Sequence, residues 1–384
     1  MAKKVLFTAT VDYHFLVFHL PILRWFKDQG WIIHIAANGH LTIPYVDRKY
    51  DIPFERMPLK WNNVKAYQKL KSLLEEENYD LIHTHTPIGG VLTRLASMQY
   101  KKTPTKVIYT AHGFHFCKGA PLSNWLLYYP VEKFLARHTD CLITINEEDY
   151  RIATSRNFKA TRIHWVNGVG VDTKAFKPMS STEKRVMRAK FGYQSNQKLM
   201  IYTAEFNKNK NHQMLINVLR FLKEDRPNIK LLLAGDGPLL EQCRNYAKRL
   251  GVASEVDFLG YRNDISKIVP MCDLALSSSY REGLPVNIME TMACGLPVIA
   301  TRNRGHVELI KEDENGYLVG CNDTKAMGER IKQILNDSDL QLRLGQSGRK
   351  MIENKYSTVS TLMQYKRIYE GIMRSDGGIE WKAQ

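Results

Sequence analysis

The stretch SYREGLPVNIMETMACGLPVIAT, residues 279–301, decides the fold of this 384-residue chain and predicts a loop, a helix and a strand. Pro285 suits the first position of a helix, because its missing N–H has no intrahelical partner there. Gly295 is expected to stop that helix. Pro297 opens the apolar run of residues 298–300, which is typical of a buried strand. A unit of this kind belongs to a layered α/β protein.

Two carboxylates stand eight positions apart in this stretch, Glu282 in the loop and Glu290 inside the helix. The helical neighbours of Glu290 carry no positive charge. Its carboxylate is therefore either hydrated or bound to a polar group that the chain does not supply locally. The start of the helix is a site for an anion, with open N–H groups at Val286, Asn287 and Ile288. A ligand with a phosphate end and a hydroxyl-rich end would fit; the alternative is a pair of solvated glutamates.

Short apolar runs alternate with amphipathic stretches along the whole chain, which favours parallel α/β layers. The predicted strands are KVLFTAT, WIIHIAA, DLIHTH, KVIYTA and DCLITI in the first half, and KLMIYTA, IKLLLAG, EVDFLG, DLALSSS, PVIAT and GYLVG in the second. Helices are predicted between them, among others at residues 15–29, 62–77, 88–98 and 124–137, with a last amphipathic helix at 357–374. The pattern predicts two doubly wound sheets in tandem.

The chain is too long for one ordinary core, so two domains are expected. The glycines and the proline of VNGVGVDTKAFKP, residues 166–178, suit an ordered join. We predict a first domain over residues 1–170 and a second over residues 171–355. Residues 356–384 hold the last helix, which no strand follows.

The segment EGLPVNIMETMACGLPVIAT resembles the E-x7-E signature of the family-4 retaining glycosyltransferases, both in spacing and in flanking residues. The resemblance covers nearly the whole chain. It implies the α/β GT-B architecture, in which two Rossmann-like doubly wound domains face each other across a cleft. It also implies that the first domain is the acceptor side, that the second binds the sugar nucleotide, and that the last helix crosses back to the first domain.

The resemblance is closest to exopolysaccharide and capsule glycosyltransferases, and it implies an activity. Such an enzyme moves a hexose or N-acetylhexosamine, with retention, from a UDP-sugar to a lipid-linked oligosaccharide in surface polysaccharide biosynthesis. No cofactor is expected beyond the nucleotide-sugar substrate. Two alternatives stay open: a sugar-nucleotide 2-epimerase on the same architecture, and a non-catalytic sugar-nucleotide-binding protein.

The loop AEFNKNKNH follows the strand KLMIYTA and places Lys208 and Lys210 where cations can meet a diphosphate. The alternative is a solvated basic loop. The family pattern here is Gly-Arg-Leu with a lysine four positions on. Lys210 matches that lysine, whereas Glu205 replaces the arginine, and Lys208 is expected to compensate for it.

The resemblance implies roles for the other residues of the predicted donor site. Glu290 would accept hydrogen bonds from the ribose. Glu282, one of two catalytic candidates, would hold the hydroxyls of the donor sugar. N–H groups near Asn287 and Ile288, with Lys210, would stabilise the diphosphate. The loops AGDGPL and FLGYRNDI and the start of the helix supply the remaining donor-binding candidates: Gly235, Gly237, Tyr261, Arg262, Gly283, Leu284 and Pro285.

In the first half, YTAHGFHF places His112 and Gly113 directly after a predicted strand, where a glycine lets a ligand approach closely. His112 matches the sugar-side histidine of the family and is the second catalytic candidate, with Gly113 on the acceptor side. The Gly-Gly loop with which many relatives contact phosphate is absent from VDYHF. Tyr13 and His14 in that segment are therefore expected to face the acceptor.

DLIHTHTPIGG places His83 and His85 on another strand. We expect them on opposite sides of it, which makes His85 an acceptor-side residue at the rim. A lone histidine is more often a satisfied polar residue than a catalyst. His83, His85 and His112 show no fixed ligand spacing, so no metal is expected there. None is expected at the phosphate site either, where a helix N-terminus and lysines supply the positive charge.

The net charge of +16 points to an anionic partner. The basic residues carry no nucleic-acid-binding signature, so nucleic acid is not expected. Basic and aromatic residues of the first domain, within residues 60–71 and 118–137, favour contact with an anionic membrane surface. No span or signal peptide is apparent, and the six cysteines show no metal spacing. We therefore expect reduced thiols and a cytoplasmic protein at the inner face of the cell membrane.

Overall fold

The computed structural model describes residues 2–98, 100, 105–222 and 228–374. The chain divides into two compact units. The first unit combines the residues up to Gly170 with those from Thr361 onward, and the second runs from Val171 to Ser360. No helix in the described ranges is long and apolar enough to cross a membrane. All six cysteines are free, and Cys321 alone among the six is exposed.

Strands and helices alternate in both units. The strands are β1 (Lys4–Val11), β2 (Ile32–Asn38), β3 (Arg48–Asp51), β4 (Leu81–His85), β5 (Lys106–Ala111), β6 (Cys141–Thr144), β7 (Arg162–Trp165), β8 (Lys198–Thr203), β9 (Ile229–Ala234), β10 (Val256–Gly260), β11 (Leu274–Ser277), β12 (Val298–Thr301) and β13 (Gly316–Val319). The helices are α1 (Tyr13–Phe18), α2 (Leu20–Asp28), α3 (Asn62–Glu76), α4 (Pro87–Met98), α5 (Leu122–Ala136), α6 (Glu147–Ser155), α7 (Ser181–Lys190), α8 (His212–Leu222), α9 (Leu240–Arg249), α10 (Ile265–Ile268), α11 (Val286–Ala293), α12 (Arg304–Leu309), α13 (Thr324–Asn336), α14 (Ser338–Met351) and α15 (Thr358–Arg374).

The sheet of the first unit has seven parallel strands in the order β3-β2-β1-β4-β5-β6-β7. Its central strands β1, β4 and β5 are buried along nearly their whole length, as strands covered by helices on both faces must be. The strand order reverses between β1 and β4. Ligands of open α/β sheets bind at the carboxyl ends of the strands beside such a switch point.

The second unit repeats this plan with six parallel strands in the order β10-β9-β8-β11-β12-β13. Its core combines strand residues such as Met200 and Leu231 with helix residues such as Leu215 and Ile331, all of them fully buried. The switch point lies between β8 and β11. The loops that follow these two strands therefore define the expected ligand edge of this unit.

Two strands of the first unit, β3 and β7, escaped prediction from the apolar runs. Both are four residues long, with the sequences RKYD and RIHW, and both have exposed ends. They form the two edges of the sheet. Short, charged edge strands are common because they discourage pairing with another chain, and they carry no apolar signal.

The helix predicted over residues 15–29 is two helices in the structure, α1 and α2, with His19 between them. Pro21 lies in the first turn of α2. A proline has no N–H to donate to the carbonyl four residues earlier, so one continuous helix would be broken there. The other correction is smaller: α11 begins at Val286, and Pro285 occupies the N-cap instead of the first helical position.

Helix α15 packs within the first unit from Thr361 onward. The ring of Tyr369 stacks on Trp25 at 5.7 Å between centroids and meets Phe26 edge-on at 4.8 Å. The Tyr369 hydroxyl is hydrogen-bonded to His83 Nδ1 at 2.7 Å. Of the segment 356–384 that sequence analysis set apart, residues 375–384 lie outside the described residues.

Candidate active site

An ion pair spans the switch point of the second unit. Lys210 lies in the loop after β8 and Glu282 in the loop after β11, and Lys210 Nζ donates to Glu282 Oε1 at 2.6 Å. The two side chains are 22% and 13% exposed, so both are largely withdrawn from water yet reachable. The pair places a cation and a carboxylate at the ligand edge of this sheet.

Hydrogen bonds hold the two loops together. Asn209 binds the second loop three times: its side-chain amide donates to Arg281 O at 2.9 Å, its Oδ1 accepts from Arg281 N, and its carbonyl accepts from Tyr280 N. Thr301 at the end of β12 donates to Ser279 O at 2.6 Å. The geometry around Glu282 is thus fixed by the loops, which is what preorganised binding needs.

Helix α11 begins shortly after Glu282 in the sequence, and its N-terminus is open. Its N-cap, Pro285, has no side-chain acceptor for the first N–H groups. Asn287 does not cap the helix; its side-chain amide donates instead to Thr203 O at 2.8 Å, which ties the helix to the end of β8. Among the described residues no acceptor is seen for the N–H groups of Val286 and Asn287. Such groups bind anions.

Glu290 lies one turn further along α11 and is partly buried. Its carboxylate has neither a hydrogen-bond donor nor a cation within the described part of the chain. Burial raises the pKa of Glu290 to about 7. A carboxylate in this state gains from any ligand that brings hydroxyl donors, because a buried charge without partners is costly.

Two glycines let the loops after β8 and β9 pack backbone against backbone. Gly235 has φ of 151°, and a Cβ there would lie 2.0 Å from Ala204 O. Gly237 has φ of 145°, and a Cβ would lie 2.7 Å from Phe206 O. Both positions exclude other residues for reasons of packing within the unit. Glu205, which replaces the family arginine, is exposed and accepts from Asn207 Nδ2 at 3.0 Å.

Three other predicted donor residues are placed less favourably. Arg262 donates two hydrogen bonds to Asp264, at 2.8 and 2.6 Å, so its own loop occupies the guanidinium. Tyr261 is 69% exposed. Lys208 is exposed and has no side-chain partner in the described residues. Leu284 is buried and Gly283 partly buried in the loop that carries Glu282, and Ile288 is buried on α11.

Sequence reasoning missed Arg304, the first residue of α12. Its Nε donates to Glu282 O at 3.1 Å. The following Gly305 packs against the same loop, since a Cβ there would lie 2.9 Å from both Glu282 Cβ and Gly283 O. The signal was available in TRNRGH, where an N-capping asparagine and an arginine directly follow a predicted strand.

The chain contains one Asp-x-Asp triplet, Asp337-Ser338-Asp339, whose two carboxylates could hold a divalent ion. In the structure Asp337 is the N-cap of α14. Its side chain accepts from the N–H groups of Asp339 and Leu340 at 3.1 and 2.9 Å. Helix capping accounts for this residue.

Four histidines meet at the switch point of the first unit. His14 and His19 follow β1, His85 ends β4 and His112 follows β5; we call them the four-histidine cluster. His14 Nε2 and His19 Nε2 are 3.0 Å apart, and His85 Nδ1 and His112 Nε2 are 3.2 Å apart. One ring nitrogen of each lies within 4.8 Å of the others. Spacing along the chain does not reveal this set, because three separate strand ends and a helix break bring it together.

The expectation that His83 and His85 point to opposite sides of β4 was wrong. Residues two positions apart on a strand share a face. The two ring centroids are 4.1 Å apart. His85 is fully buried and does not lie at a rim. His83 belongs to the core contacts of this unit, with Nε2 at 2.8 Å from Thr110 Oγ1.

Burial keeps these imidazoles neutral. It lowers the pKa of His112 to about 4 and that of His83 to about 3. It also lowers the pKa of His14, His19 and His85 well below the usual value, with a further decrease from the neighbouring histidines. At neutral pH the cluster therefore offers hydrogen-bond donors and acceptors without a positive charge.

Two cavities adjoin the acceptor-side candidates. An apolar cavity of about 160 Å³ is lined by Gly113, Phe114, Leu127 and Tyr128, among others. A second cavity of about 330 Å³ is lined by His14 together with polar and apolar residues. Pro58 and Tyr128 line both. Tyr13, the remaining acceptor-side candidate, is 48% exposed.

Helix α5 exposes an apolar stripe next to these cavities. Leu122, Leu126, Pro130 and Phe134 recur every four residues and are exposed, so they lie on one face. The loop before α3 exposes Met57, Leu59 and Trp61 as well. Exposed apolar residues of this kind are candidates for an interaction site. Trp125, Tyr128 and Tyr129 pack instead against the core of the unit.

Solved structures place this architecture in the GT-B class of two Rossmann-like domains. A crystal structure of Anabaena Alr3699/HepE in complex with UDP and glucose superposes with a TM-score of 0.79. The match covers 96% of this chain and 100% of that one, at 18% sequence identity.

The chain belongs to the group 1, family-4 glycosyltransferases. Residues 183–351 match the family of glycosyl transferases group 1, and residues 4–146 match a glycosyl transferase 4-like family. A protein of Bacillus subtilis (strain 168) named "Putative glycosyltransferase EpsD" is 46% identical over 376 residues, 98% of each chain. The UDP-Gal:alpha-D-GlcNAc-diphosphoundecaprenol alpha-1,3-galactosyltransferase of Escherichia coli is 28% identical, over 80% of this chain and 79% of its own.

Proposed function

We propose that this glycosyltransferase moves a hexose or N-acetylhexosamine, with retention, from a UDP-sugar to a lipid-linked oligosaccharide in surface polysaccharide biosynthesis. The observation that carries the proposal is the edge of the second unit. It combines the Lys210–Glu282 pair, the open N-terminus of α11 and the unpartnered carboxylate of Glu290. These three features meet the three parts of a sugar nucleotide: diphosphate, sugar hydroxyls and ribose.

Charge builds on the diphosphate when the bond to the sugar breaks. Lys210 and the first N–H groups of α11 would stabilise that charge, and fixed donors in a site withdrawn from water do so most effectively. In the free protein Lys210 is paired with Glu282. The arriving diphosphate would compete for Lys210 and leave Glu282 to accept hydrogen bonds from the sugar.

Neutral hydrogen bonding is the contribution assigned to the first unit. His112 lies at the carboxyl end of β5 with its Nε2 held by His85. The other ring nitrogen, Nδ1, is left to donate to or accept from one sugar hydroxyl, which suits the orientation of the sugar. We assign His112 to the donor sugar, and Tyr13, His14 and Gly113 to the acceptor side; His85, which is fully buried, acts on that side through its hydrogen bond to His112.

Exposed apolar surface supports the proposal that the acceptor carries a lipid. The stripe on α5 and the exposed loop residues Leu59 and Trp61 offer contact with a bilayer, and the adjoining cavity at Gly113 offers apolar lining near the acceptor side. The E. coli relative is named for a diphosphoundecaprenol-linked acceptor. We propose peripheral association with the inner face of the cell membrane through this surface and the basic residues around it.

Transfer is tested by incubating the full chain with a panel of UDP-sugars and short-chain prenyl-diphosphate saccharides. Product is identified by mass, and its anomeric configuration by NMR. We expect one UDP released per saccharide extended, with the configuration of the donor retained. Glu282→Ala is the inactive control. Formation of an epimeric sugar without acceptor would assign the protein to the epimerase alternative, and nucleotide binding without turnover across the panel would favour the binding-protein alternative.

Membrane association is tested by flotation with vesicles of anionic or neutral lipid. Binding is expected with anionic vesicles and should weaken as salt rises, since each basic residue near the surface contributes about 1 kcal/mol. Leu122→Ser with Leu126→Ser should reduce it, and so should Lys65→Glu with Lys118→Glu. Val186→Ser is the matched control, because Val186 is 62% exposed on α7 of the second unit. Equal binding to neutral vesicles, or none to either, would exclude the electrostatic part of the proposal.

A further inference from the structure

We propose that the four-histidine cluster of the first unit binds one transition-metal ion that prefers imidazole ligands, such as Zn²⁺ or Co²⁺. The cluster consists of His14, His19, His85 and His112. Each residue offers one ring nitrogen, and these nitrogens lie within 4.8 Å of one another.

The rings already surround one position. In a tetrahedral site with metal–nitrogen bonds of about 2.0–2.1 Å, the ligand nitrogens are about 3.4 Å apart and the ring centroids about 5 Å apart. The two close nitrogen pairs of the cluster are 3.0 and 3.2 Å apart. All six centroid separations fall between 4.1 and 5.8 Å. These two nitrogen distances and the ring spacings are close to those of a tetrahedral imidazole site.

The donor set selects the class of ion. Among the described residues the group consists of histidines alone, with no carboxylate or cysteine. Imidazole nitrogen suits Zn²⁺, Co²⁺, Ni²⁺ and Cu²⁺, whereas Mg²⁺ and Ca²⁺ take oxygen ligands. The site is therefore different in kind from a carboxylate site for a phosphate-bound magnesium ion.

Unsatisfied polar atoms give an independent reason to expect a ligand. His19 and His85 are 1% and 0% exposed, and His19 Nδ1 and His85 Nε2 have no hydrogen-bond partner. The rings of Phe7 and Phe15 lie against His85 at 6.4 and 6.1 Å between centroids. Four imidazoles in such surroundings with two hydrogen bonds among them cost stability. A bound ion would take one nitrogen from each ring, which His19 and His85 supply either through these unsatisfied atoms or, with the ring turned over, through the nitrogens that are now paired.

An ion has a path to the cluster. His112 is only partly buried, and His14 lines the cavity of about 330 Å³ described above. The consequence for activity rests on the proposed function. An ion bound to His112 fixes this ring in the cluster, so that the ring no longer turns toward the donor sugar, and occupancy of the site inhibits transfer.

The test uses the full chain without a histidine tag, stripped with chelator and dialysed against Co²⁺, Zn²⁺ or Mg²⁺ alone. The amount of metal bound per chain is measured by elemental mass spectrometry. Tetrahedral Co²⁺ is also detected by its strong visible absorption. We expect one Co²⁺ per chain, displaced by Zn²⁺ and not by Mg²⁺. Absence of bound metal, or a weak octahedral Co²⁺ spectrum, would overturn the proposal.

His19→Gln is the decisive variant, because His19 has no part in the proposed transfer chemistry. Its affinity for Co²⁺ should fall at least about tenfold. His164→Gln is the matched control, since His164 is partly buried on β7 of the same unit but outside the cluster. If His19→Gln binds Co²⁺ with wild-type affinity, the ion is bound outside the four-histidine cluster. If the melting temperature shows that this variant is unfolded, His14→Gln replaces it, and the wild-type spectrum decides independently.

Binding of metal requires neither donor nor acceptor, so its failure and the failure of the proposed function are separate results. Once transfer is measured, Zn²⁺ should inhibit the wild-type chain and His164→Gln, and His19→Gln should resist it. Inhibition equal in all three proteins would refute the link to His112 even if the ion binds.

Discussion

The ligand edges of the two units share a topology and differ in chemistry. In each unit the main candidate residues lie at or after the ends of strands at the switch point or next to it: β1, β4 and β5 in the first unit, and β8 and β11 in the second. The second unit places charges there, Lys210 against Glu282 with Glu290 nearby in sequence. The first unit places neutral imidazoles there.

The difference shows that the switch point determines where a ligand binds, whereas the residues of the loops determine which ligand binds. A diphosphate carries charge that grows as its bond breaks, so it needs cations and open N–H groups. A sugar hydroxyl carries none and is held by neutral donors and acceptors. Charged variants should thus act on nucleotide binding and cluster variants on turnover.

The largest effect is expected from Lys210→Ala. Removing the cation should lower kcat/KM about 10²–10³-fold, the usual result of losing one stabiliser of transition-state charge. Steady-state transfer kinetics measure it. Lys208→Ala is the matched control, because Lys208 is exposed in the same loop, and it should change kcat/KM less than threefold. Equal losses in the two variants would remove the distinction between them.

His112→Ala should lower kcat about a hundredfold through poorer orientation of the donor sugar. Affinity for UDP should stay within about twofold of wild type, because the nucleotide is assigned to the other unit. Calorimetry with UDP and transfer kinetics on the same preparation separate the two quantities. A large loss of UDP affinity would contradict the division of labour between the units.

Glu290→Gln should weaken UDP about tenfold, which corresponds to about 1–2 kcal/mol for hydrogen bonds to a charged acceptor. The measurement is calorimetry at pH 8, where the wild-type carboxylate is ionised. Unchanged affinity would mean that the ribose is bound elsewhere. The melting temperature serves as the control for folding.

UDP affinity should rise between pH 6 and pH 8, by less than tenfold per pH unit. Ribose hydroxyls donate to the ionised carboxylate, so binding requires the proton of Glu290 to leave. Since the pKa of Glu290 is raised to about 7 in the free protein, that cost falls as pH increases through 7 and vanishes above it. Glu290→Gln should give a flatter profile, and an equally steep one would assign the pH dependence to another group.

The smallest effect is expected from chelator. Excess EDTA should leave transfer within about twofold of its untreated value, because a helix N-terminus and lysine meet the phosphate charge. Any change should be an increase, from release of His112. Complete inactivation that magnesium or manganese reverses would show that the second unit uses a metal after all.

Sequence patterns predicted the fold well where burial is symmetrical. Most central strands of both sheets are apolar runs, and their order along the chain indicated two parallel sheets. The edge strands β3 and β7 carry no such pattern because one side of each meets water. The sequence pattern did not predict the helix break at His19, although Pro21 indicates it.

Some features of the candidate sites could likewise be predicted from the sequence, and others could not. That Glu290 lacks a local partner could be worked out from helical spacing, since the relevant neighbours are three and four positions away. The four-histidine cluster could not, because His14, His85 and His112 come from three strand ends and His19 from a helix break. Pairings such as Arg262 with Asp264 also depend on loop conformations that sequence spacing does not specify.

The hydrogen bond between His83 and Tyr369 joins residues 286 positions apart and closes the first unit with the last described helix. During synthesis the ribosome releases residues 1–170 long before it makes that helix. The partners Trp25, Phe26 and His83 must wait uncovered while the entire second unit emerges and folds. Truncation of α15 should therefore destabilise the first unit before it affects the second.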